Sequence, residues 1–170
     1  MLKTILPFLC GIALLYACND APKASISVQA ETETGKEQVI AFYYTDSNIQ
    51  KNFDTLNYPG VDTASMIEQA LANCYDESGT QVGRQDVYCS MYFDRFTQRI
   101  NCLTTTTFRF KDGDIAATGM TELTPGSDTP PNDLMTITGG TKTYQGIYGI
   151  YKRRRSNDTF YVELHYKKLP

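Results

Sequence analysis

The chain has 170 residues, enough for one domain with a real core. Apolar residues make up 41% and charged residues 21%, ordinary globular usage, and a net charge of −3 with no dominant basic block gives no reason to expect a nucleic-acid partner. Twelve tyrosines, eight phenylalanines and no tryptophan, together with many threonines and valines, favour strands over helices.

Chain order starts with MLKTILPFLCGIALLYAC. One lysine precedes an apolar run from Thr4 to Ala17, too short to span a bilayer comfortably and of the length of a signal-peptide core. The run ends in Leu15-Tyr16-Ala17-Cys18, which resembles a bacterial lipobox. Cys18 would then be the lipidated residue and the new N-terminus. Cleavage near Ala17 as an ordinary secretory signal is the alternative, and either route exports the protein. Removing residues 1–17 takes Lys3 away, so the mature net charge becomes −4. Residues 18–36 are small and polar without apolar period, and read as a lipid-anchored flexible tether. The folded domain is expected to occupy residues 37–170.

Within that domain, Gln38–Asp46 is β-branched and aromatic and reads as a strand. Asn48–Met66 reads as a loop turning on Pro59-Gly60. Met66–Glu77 is ambiguous: alanine and leucine suggest a helix, whereas Ser78-Gly79 suggests a hairpin turn. Val82–Asp94 alternates, with Val87, Cys89, Met91 and Phe93 on one face. Arg99–Lys111 alternates too, placing Ile100, Cys102, Thr104, Thr106, Phe108 and Phe110 together. Lys111–Asp114, KDGD, is a two-residue hairpin signal. A strand from Asp114 to Leu123 precedes a proline-rich loop. Leu134–Thr138, Thr143–Arg154 and Thr159–Lys168 are the remaining strands. In the last, Phe160, Val162, Leu164 and Tyr166 share a face. The run Lys152-Arg153-Arg154-Arg155 reads as a solvated strand end, with contact to a lipid headgroup or acidic ligand as the alternative.

About eight short strands with hardly any secure helix specify an all-β sandwich or barrel, and closure would remove the exposed edges. An eight-stranded antiparallel barrel has an interior that side chains fill or that holds one small ligand.

The segment Ile137–Gly149, ITGGTKTYQGIYG, tests a different idea. A phosphate-binding glycine loop needs a helix after it, whose N-terminus holds the phosphate. The residues after Gly140 are aromatic and β-branched with glycines interleaved, so that reading fails. Gly139 and Gly140 are expected to supply positive φ at a tight barrel corner. Gly146 and Gly149 are expected inside a strand, permitting a bend or close packing.

These residues resemble the TGG(T/S)G-x-(F/Y)-x-G-x-x-G signature of plant allene oxide cyclases and dirigent proteins. The closing TFYVELHYKK is similar to the last strand of the cyclases, and CYDESGTQVGRQDVYCSMY resembles their hairpin. The likeness covers roughly Ala72 to Lys168. It implies an eight-stranded antiparallel barrel with an apolar cavity, often trimeric in plants, so a homo-oligomer is an expectation. Allene oxide cyclases use a shaped cavity, a steering carboxylate and a strand cysteine. That cysteine matches Cys89, the candidate catalytic residue. The family's glutamate falls at Tyr43, its asparagine at Ala72 and its tyrosine at Thr121, so three of four functional positions depart. No matching dirigent set of acids and arginine can be placed.

Other chemistries find less support. His165 is the only histidine, on the polar face of the last strand with Glu163 and Lys167. With no second histidine or C-x-x-C, no metal site is expected. No G-x-S-x-G exists for a hydrolase elbow. Asp112, Asp114, Glu122 and Asp133 read as turn and loop acids, poor candidates for a carboxylate pair. No cofactor is expected.

In an exported domain the remaining cysteines, Cys74, Cys89 and Cys102, invite pairing. A turn on Asp94–Thr97 would set Cys89 directly opposite Cys102, a position from which a cross-strand disulfide can form. Pairing would make Cys89 structural and remove it as a catalytic group. Three readings are open on these grounds. The first is an exported barrel, lipid-anchored to the bacterial cell envelope, that binds a small hydrophobic ligand. The second is an isomerase or cyclase steering a reactive substrate by cavity shape. The third is an envelope module with a packed barrel.

Overall fold

A computed structural model describes residues 35–56, 65–94, 99–123 and 133–170. The signal segment, Cys18, all but the end of the tether, and the loops containing Pro59-Gly60 and Pro130-Pro131 lie outside these residues. Among the described residues there are nine strands: β1 (Gln38–Thr45), β2 (Ile49–Leu56), β3 (Ser65–Tyr75), β4 (Gln81–Asp94), β5 (Arg99–Phe110), β6 (Gly113–Leu123), β7 (Asp133–Gly140), β8 (Ile147–Ser156) and β9 (Thr159–Lys168). Consecutive strands from β3 to β9 pair antiparallel, β1 pairs with β9, and the pairing Tyr43↔Tyr75 between β1 and β3 closes the ring. The fold is a closed eight-stranded antiparallel barrel with one further strand, β2, outside it.

β2 corrects the loop expected at Asn48–Met66. β1 meets β3 at one residue pair, which leaves the rest of the β3 edge with unpaired amides and carbonyls. β2 takes that edge, from Ile49↔Ala72 to Leu56↔Ser65. Its sequence, IQKNFDTL, is mostly polar because it packs little of itself into the core, so it lacks a strand's apolar alternation. The ambiguous Met66–Glu77 stretch is β3. Its inward Ala70, Ala72 and Cys74 are buried while Gln69, Leu71 and Asn73 are exposed, the period of a strand.

Turn chemistry explains the hairpins. Between β3 and β4, Asp76 accepts from the Ser78 and Thr80 amides, each at 2.9 Å, and Gly79 takes φ +80°. Lys111-Asp112 alone joins β5 to β6, with Phe110↔Gly113 as the last pair. At the expected glycine corner, Gly139 has φ +153°, and the β6–β7 register shifts beside it between Ala116 and Ala117. Gly140 has no such φ; it lies against the Asp114 carbonyl and Tyr144, where a side chain has no room. The strand expected from Thr143 begins at Ile147. Lys142–Tyr144 is a single 3-10 turn, and Gly146 sits in the bend before β8 with φ +76°. Gly149 does lie in β8, against the His165 carbonyl of β9.

The core is aromatic and asymmetric. Towards the β5–β6 hairpin, Phe42, Phe108, Phe110, Tyr144 and Tyr166 pack in a chain of ring contacts with centroids 5.4–5.9 Å apart. Such tilted and edge-on pairs suit the ring quadrupoles. Tyr144 closes this half, its hydroxyl donating to the Asp112 carboxylate at 3.1 Å. The opposite half is not filled.

Candidate functional site

That opposite half holds a cavity of about 550 Å³. It lies inside the ends of β4, β6 and β8 and the beginnings of β3, β5, β7 and β9. Its volume falls in the range that takes a drug-sized ligand. One wall is apolar, built by Ala70 and Ala72 of β3, Val87 and Met91 of β4, and Met135 of β7. The small alanines make the space, since neither side chain extends past its Cβ. On the same side Cys89 and Cys102 line the cavity and are bonded to each other, with Cα atoms 6.1 Å apart. They are not directly opposite. Met91 faces Cys102 and Thr104 faces Cys89, so the cysteines are diagonal neighbours on the inner face. The register is two residues away from the one expected. With its sulfur in this bond, Cys89 has no thiol to offer as a nucleophile or acid.

The other wall is polar, and Asp133, expected in a loop, begins β7 and points inward. It faces Arg153 of β8 across the ladder, and the Arg153 Nη2 donates to its Oδ2. The Arg153 Nη1 donates to the Tyr44 hydroxyl at 3.2 Å, and the Thr121 hydroxyl donates to Asp133 at 3.3 Å. Burial pushes the Asp133 carboxyl upward against the pull of Arg153. Burial acts to lower the Arg153 pKa, but the neighbouring Tyr151, Tyr44 and Asp133 outweigh it and hold the guanidinium charged.

Arginine run 153–155 is therefore not a solvated strand end throughout. Strand alternation turns Arg153 and Arg155 inward and leaves Lys152 and Arg154 outside. Arg155 reaches the Asp46 carboxylate at 2.6 Å, and its guanidinium lies 5.0 Å from the Phe160 ring centre. Arg153 is 5.4 Å from the same ring, which stacks on Tyr44 at 4.9 Å. Outside, Arg154 covers Tyr161 at 4.4 Å. These are cation–π contacts of the ordinary range.

Two polar atoms of cavity-lining residues, the Tyr151 hydroxyl and Gln85 Oε1, are sealed from solvent. Tyr151 is fully buried and its phenol is pushed well above the usual value by burial, with Tyr44 and Asp133 adding to the effect and Arg153 and a side-chain hydrogen bond with Gln85 working against it. Gln85 donates through Nε2 to the Thr106 hydroxyl at 3.0 Å.

Of the positions aligned with the allene oxide cyclase pattern, Cys89, Ala72 and Thr121 line the cavity. Tyr43 does not; it packs tilted against Tyr75, ring centres 6.0 Å apart, and the two form the closing pair. His165 sits on the outside between Glu37 at 3.2 Å and Glu163 at 2.8 Å. Sequence reading missed Tyr44, Gln85, Asp133, Tyr151, Arg153 and Arg155. The one usable signal was alternation in Ile147–Arg155, which puts Tyr151, Arg153 and Arg155 on a common face.

No family model matches the chain, and no curated protein does. Solved structures do. The Diels-Alderase AbmU from Streptomyces koyangensis superposes with a TM-score of 0.58 at 12% identity, covering 80% of this chain and 71% of that one. AbnU, an exo-specific intermolecular Diels-Alderase, gives 0.51 at 11% identity over 78% and 98%. A pyocyanin demethylase gives 0.48 at 20% identity over 74% and 99%. At these identities the likeness to AbmU and AbnU shows a shared barrel fold.

Proposed function

We propose that this protein is an exported barrel, lipid-anchored through Cys18 to the bacterial cell envelope, that binds one small hydrophobic molecule inside the barrel. The observation that carries the binding reading is the 550 Å³ cavity with an apolar wall and a few convergent polar groups. A barrel packed solid has no such space, so the structural-module reading loses its footing. Export is supported by the Cys89–Cys102 bond, since disulfides persist in oxidising compartments. Anchoring rests on the lipobox-like sequence before Cys18.

Titration of residues 35–170 with the neutral fluorophore N-phenyl-1-naphthylamine tests the binding reading. Saturable one-to-one enhancement is expected, lost when Ala70→Phe fills the cavity. Enhancement that never saturates, or that survives Ala70→Phe, refutes it. Anchoring is tested by metabolic labelling with a radioactive fatty acid: full-length protein takes up label and Cys18→Ala does not.

The second reading is a cyclase or isomerase that steers a reactive substrate by cavity shape. It is supported by the barrel shared with two proteins described as Diels-Alderases and by the glycine signature resembling allene oxide cyclases. The bonded Cys89 and the departures at Tyr43, Ala72 and Thr121 weigh against allene oxide cyclase chemistry itself. A homo-oligomer, as in the plant barrels, is tested by light scattering.

A further inference from the structure

We propose that the outer face of β6–β8 is a docking surface for a phospholipid bilayer, in which Met120, Leu134 and Ile150 enter the bilayer and Lys152 and Arg154 meet headgroup phosphates. The face is independent of what the cavity binds. It takes from the lipid-anchored reading only the nearness of a bilayer.

Leu134 at 65% and Met120 at 63% are the most exposed large apolar side chains on the described strands, and they are neighbours. Thr118 pairs with Thr136, and the Thr121 hydroxyl reaches Asp133, so the ladder sets Met120 against Leu134 on the outside. Exposed Leu103 is the direct partner of Met120 on β5, and exposed Ile150 lies opposite Thr136 on β8. Exposed apolar residues scattered singly need no explanation, but a contiguous group marks an interaction site.

Charge and shape select a bilayer over a second copy. The outward positions of β7 and β8 include two cations, Lys152 and Arg154, and no carboxylate. Lys152 is the cross-strand partner of Leu134, so cation and apolar group stand side by side. Neither cation makes an ion pair among the described residues. Glu163, across from Lys152 on β9, is engaged with His165 at 2.8 Å. The outside of a small barrel is convex. Two copies meeting there touch along a narrow strip, short of the roughly 800 Å² per partner of a stable protein interface. A fluid bilayer closes around a convex face, and its phosphates match the cations. The chain is acidic overall, so attraction is local to this face.

Reach agrees with this. Residues 19–34 join Cys18 to Gly35, whose amide donates to the Lys168 carbonyl at the end of the barrel away from the cavity. That length spans at most about 60 Å. An anchored barrel stays beside its bilayer, and a weak surface suffices. The face also borders the cavity: Leu134 lies between the lining residues Asp133 and Met135, and Lys152 and Arg154 alternate with Arg153 and Arg155. Docking brings that end of the barrel to the membrane, where hydrophobic molecules collect.

Sucrose-loaded vesicles test this on residues 19–170, the exported chain without its lipidated cysteine. Co-sedimentation is measured with phosphatidylcholine alone and with equal parts of phosphatidylcholine and phosphatidylglycerol. Binding to both is expected, tighter to the mixture. Leu134→Ser should weaken both by about 10-fold, because most of a leucine side chain is withdrawn from the bilayer. Lys152→Gln and Arg154→Gln should each weaken binding to the mixture by about 5-fold, and to phosphatidylcholine by less. Tyr88→Ser, at an exposed position on β4, should change neither. All four side chains are on the surface, so thermal melts should match the wild type. No sedimentation with either vesicle, or equal weakening by Leu134→Ser and Tyr88→Ser, overturns the proposal. A concentration-dependent dimer in sedimentation velocity that Leu134→Ser abolishes, with vesicle binding unaffected, overturns it too and gives the face to a second copy. Fatty-acid labelling at Cys18 is a separate readout, so failure of the anchor and failure of the docking face are told apart.

Discussion

Asp133 and Arg153 are direct cross-strand partners on β7 and β8, and their side chains form an ion pair inside the barrel. Both charges are largely out of water, the carboxylate side chain at 5% exposure. Removing one partner strands the other. Asp133→Ala is expected to lower unfolding stability by about 3–5 kcal/mol, measured by urea denaturation. The double substitution Asp133→Leu with Arg153→Met should recover most of that loss, because no charge is then left buried. If the single and double variants are equally unstable, the pair acts through shape and not charge.

Gly119 and Gly149 both face close neighbours, but with different consequences. A Cβ on Gly119 would sit 2.5 Å from the Met135 Cγ, 3.0 Å from its Cβ and 3.2 Å from its backbone Cα, so turning the Met135 side chain into the cavity relieves only the first of these contacts. Gly119→Ala should therefore cost about 1 kcal/mol or more and reduce the cavity's capacity for N-phenyl-1-naphthylamine. A Cβ on Gly149 would strike the His165 carbonyl, which is backbone in the β8–β9 ladder. Gly149→Ala should cost roughly 1–3 kcal/mol or more through strand displacement. Thermal melts of the two variants, with binding measured on the first, give the comparison.

Cys74 is the free cysteine among the described residues, and burial pushes its thiol up to about 12. A thiol that stays protonated and enclosed does not react at neutral pH. Native protein covering residues 35–170 should resist alkylation, unfolded protein should take one label without reductant, and reduction should raise the count to three. Replacing Cys89 and Cys102 by serine should cost about 3 kcal/mol on the chain-entropy view of a short closed loop. Three labels without reductant would show that the bond is not formed.

Asp86 predicts the acid limb of stability. Burial works to raise its pKa, but hydrogen bonds and charges from Arg84 and Arg109 overcome this and hold it below its ordinary value of 3.8. A depressed carboxyl contributes stability that is present above the unfolded value and lost as pH falls through the folded one. Denaturation midpoints should thus fall below about pH 4, and Asp86→Asn should flatten that fall. The arginines are about half exposed, so the effect is modest and shrinks in high salt.

Legibility followed burial. β4, β5 and β9 each have a face fully inside the barrel, so their alternation named the inward residues correctly, Cys89, Cys102, Phe108 and Leu164 among them. β2 was illegible because an edge strand outside the ring need not bury an alternate face. The β4–β5 register was misread because alternation is preserved when a register shifts by two. Cys89 and Cys102 share a face in either register, and only the ladder tells opposite from diagonal. Asp133 and the arginines were misread for another reason. A charge is assumed to face solvent unless a partner is known, and the partners lie 20 and 109 residues away along the chain.

The sequence by itself determined the class of fold, most strand faces and the glycine corner. These come from local periodicity and from backbone positions that a side chain would block. Ring closure, the outer strand, the empty half of the barrel and the Asp133–Arg153–Tyr44 cluster were decided by the tertiary structure. Each depends on which strand ends meet across the ring, and that is set by long-range register and twist, quantities no local window contains.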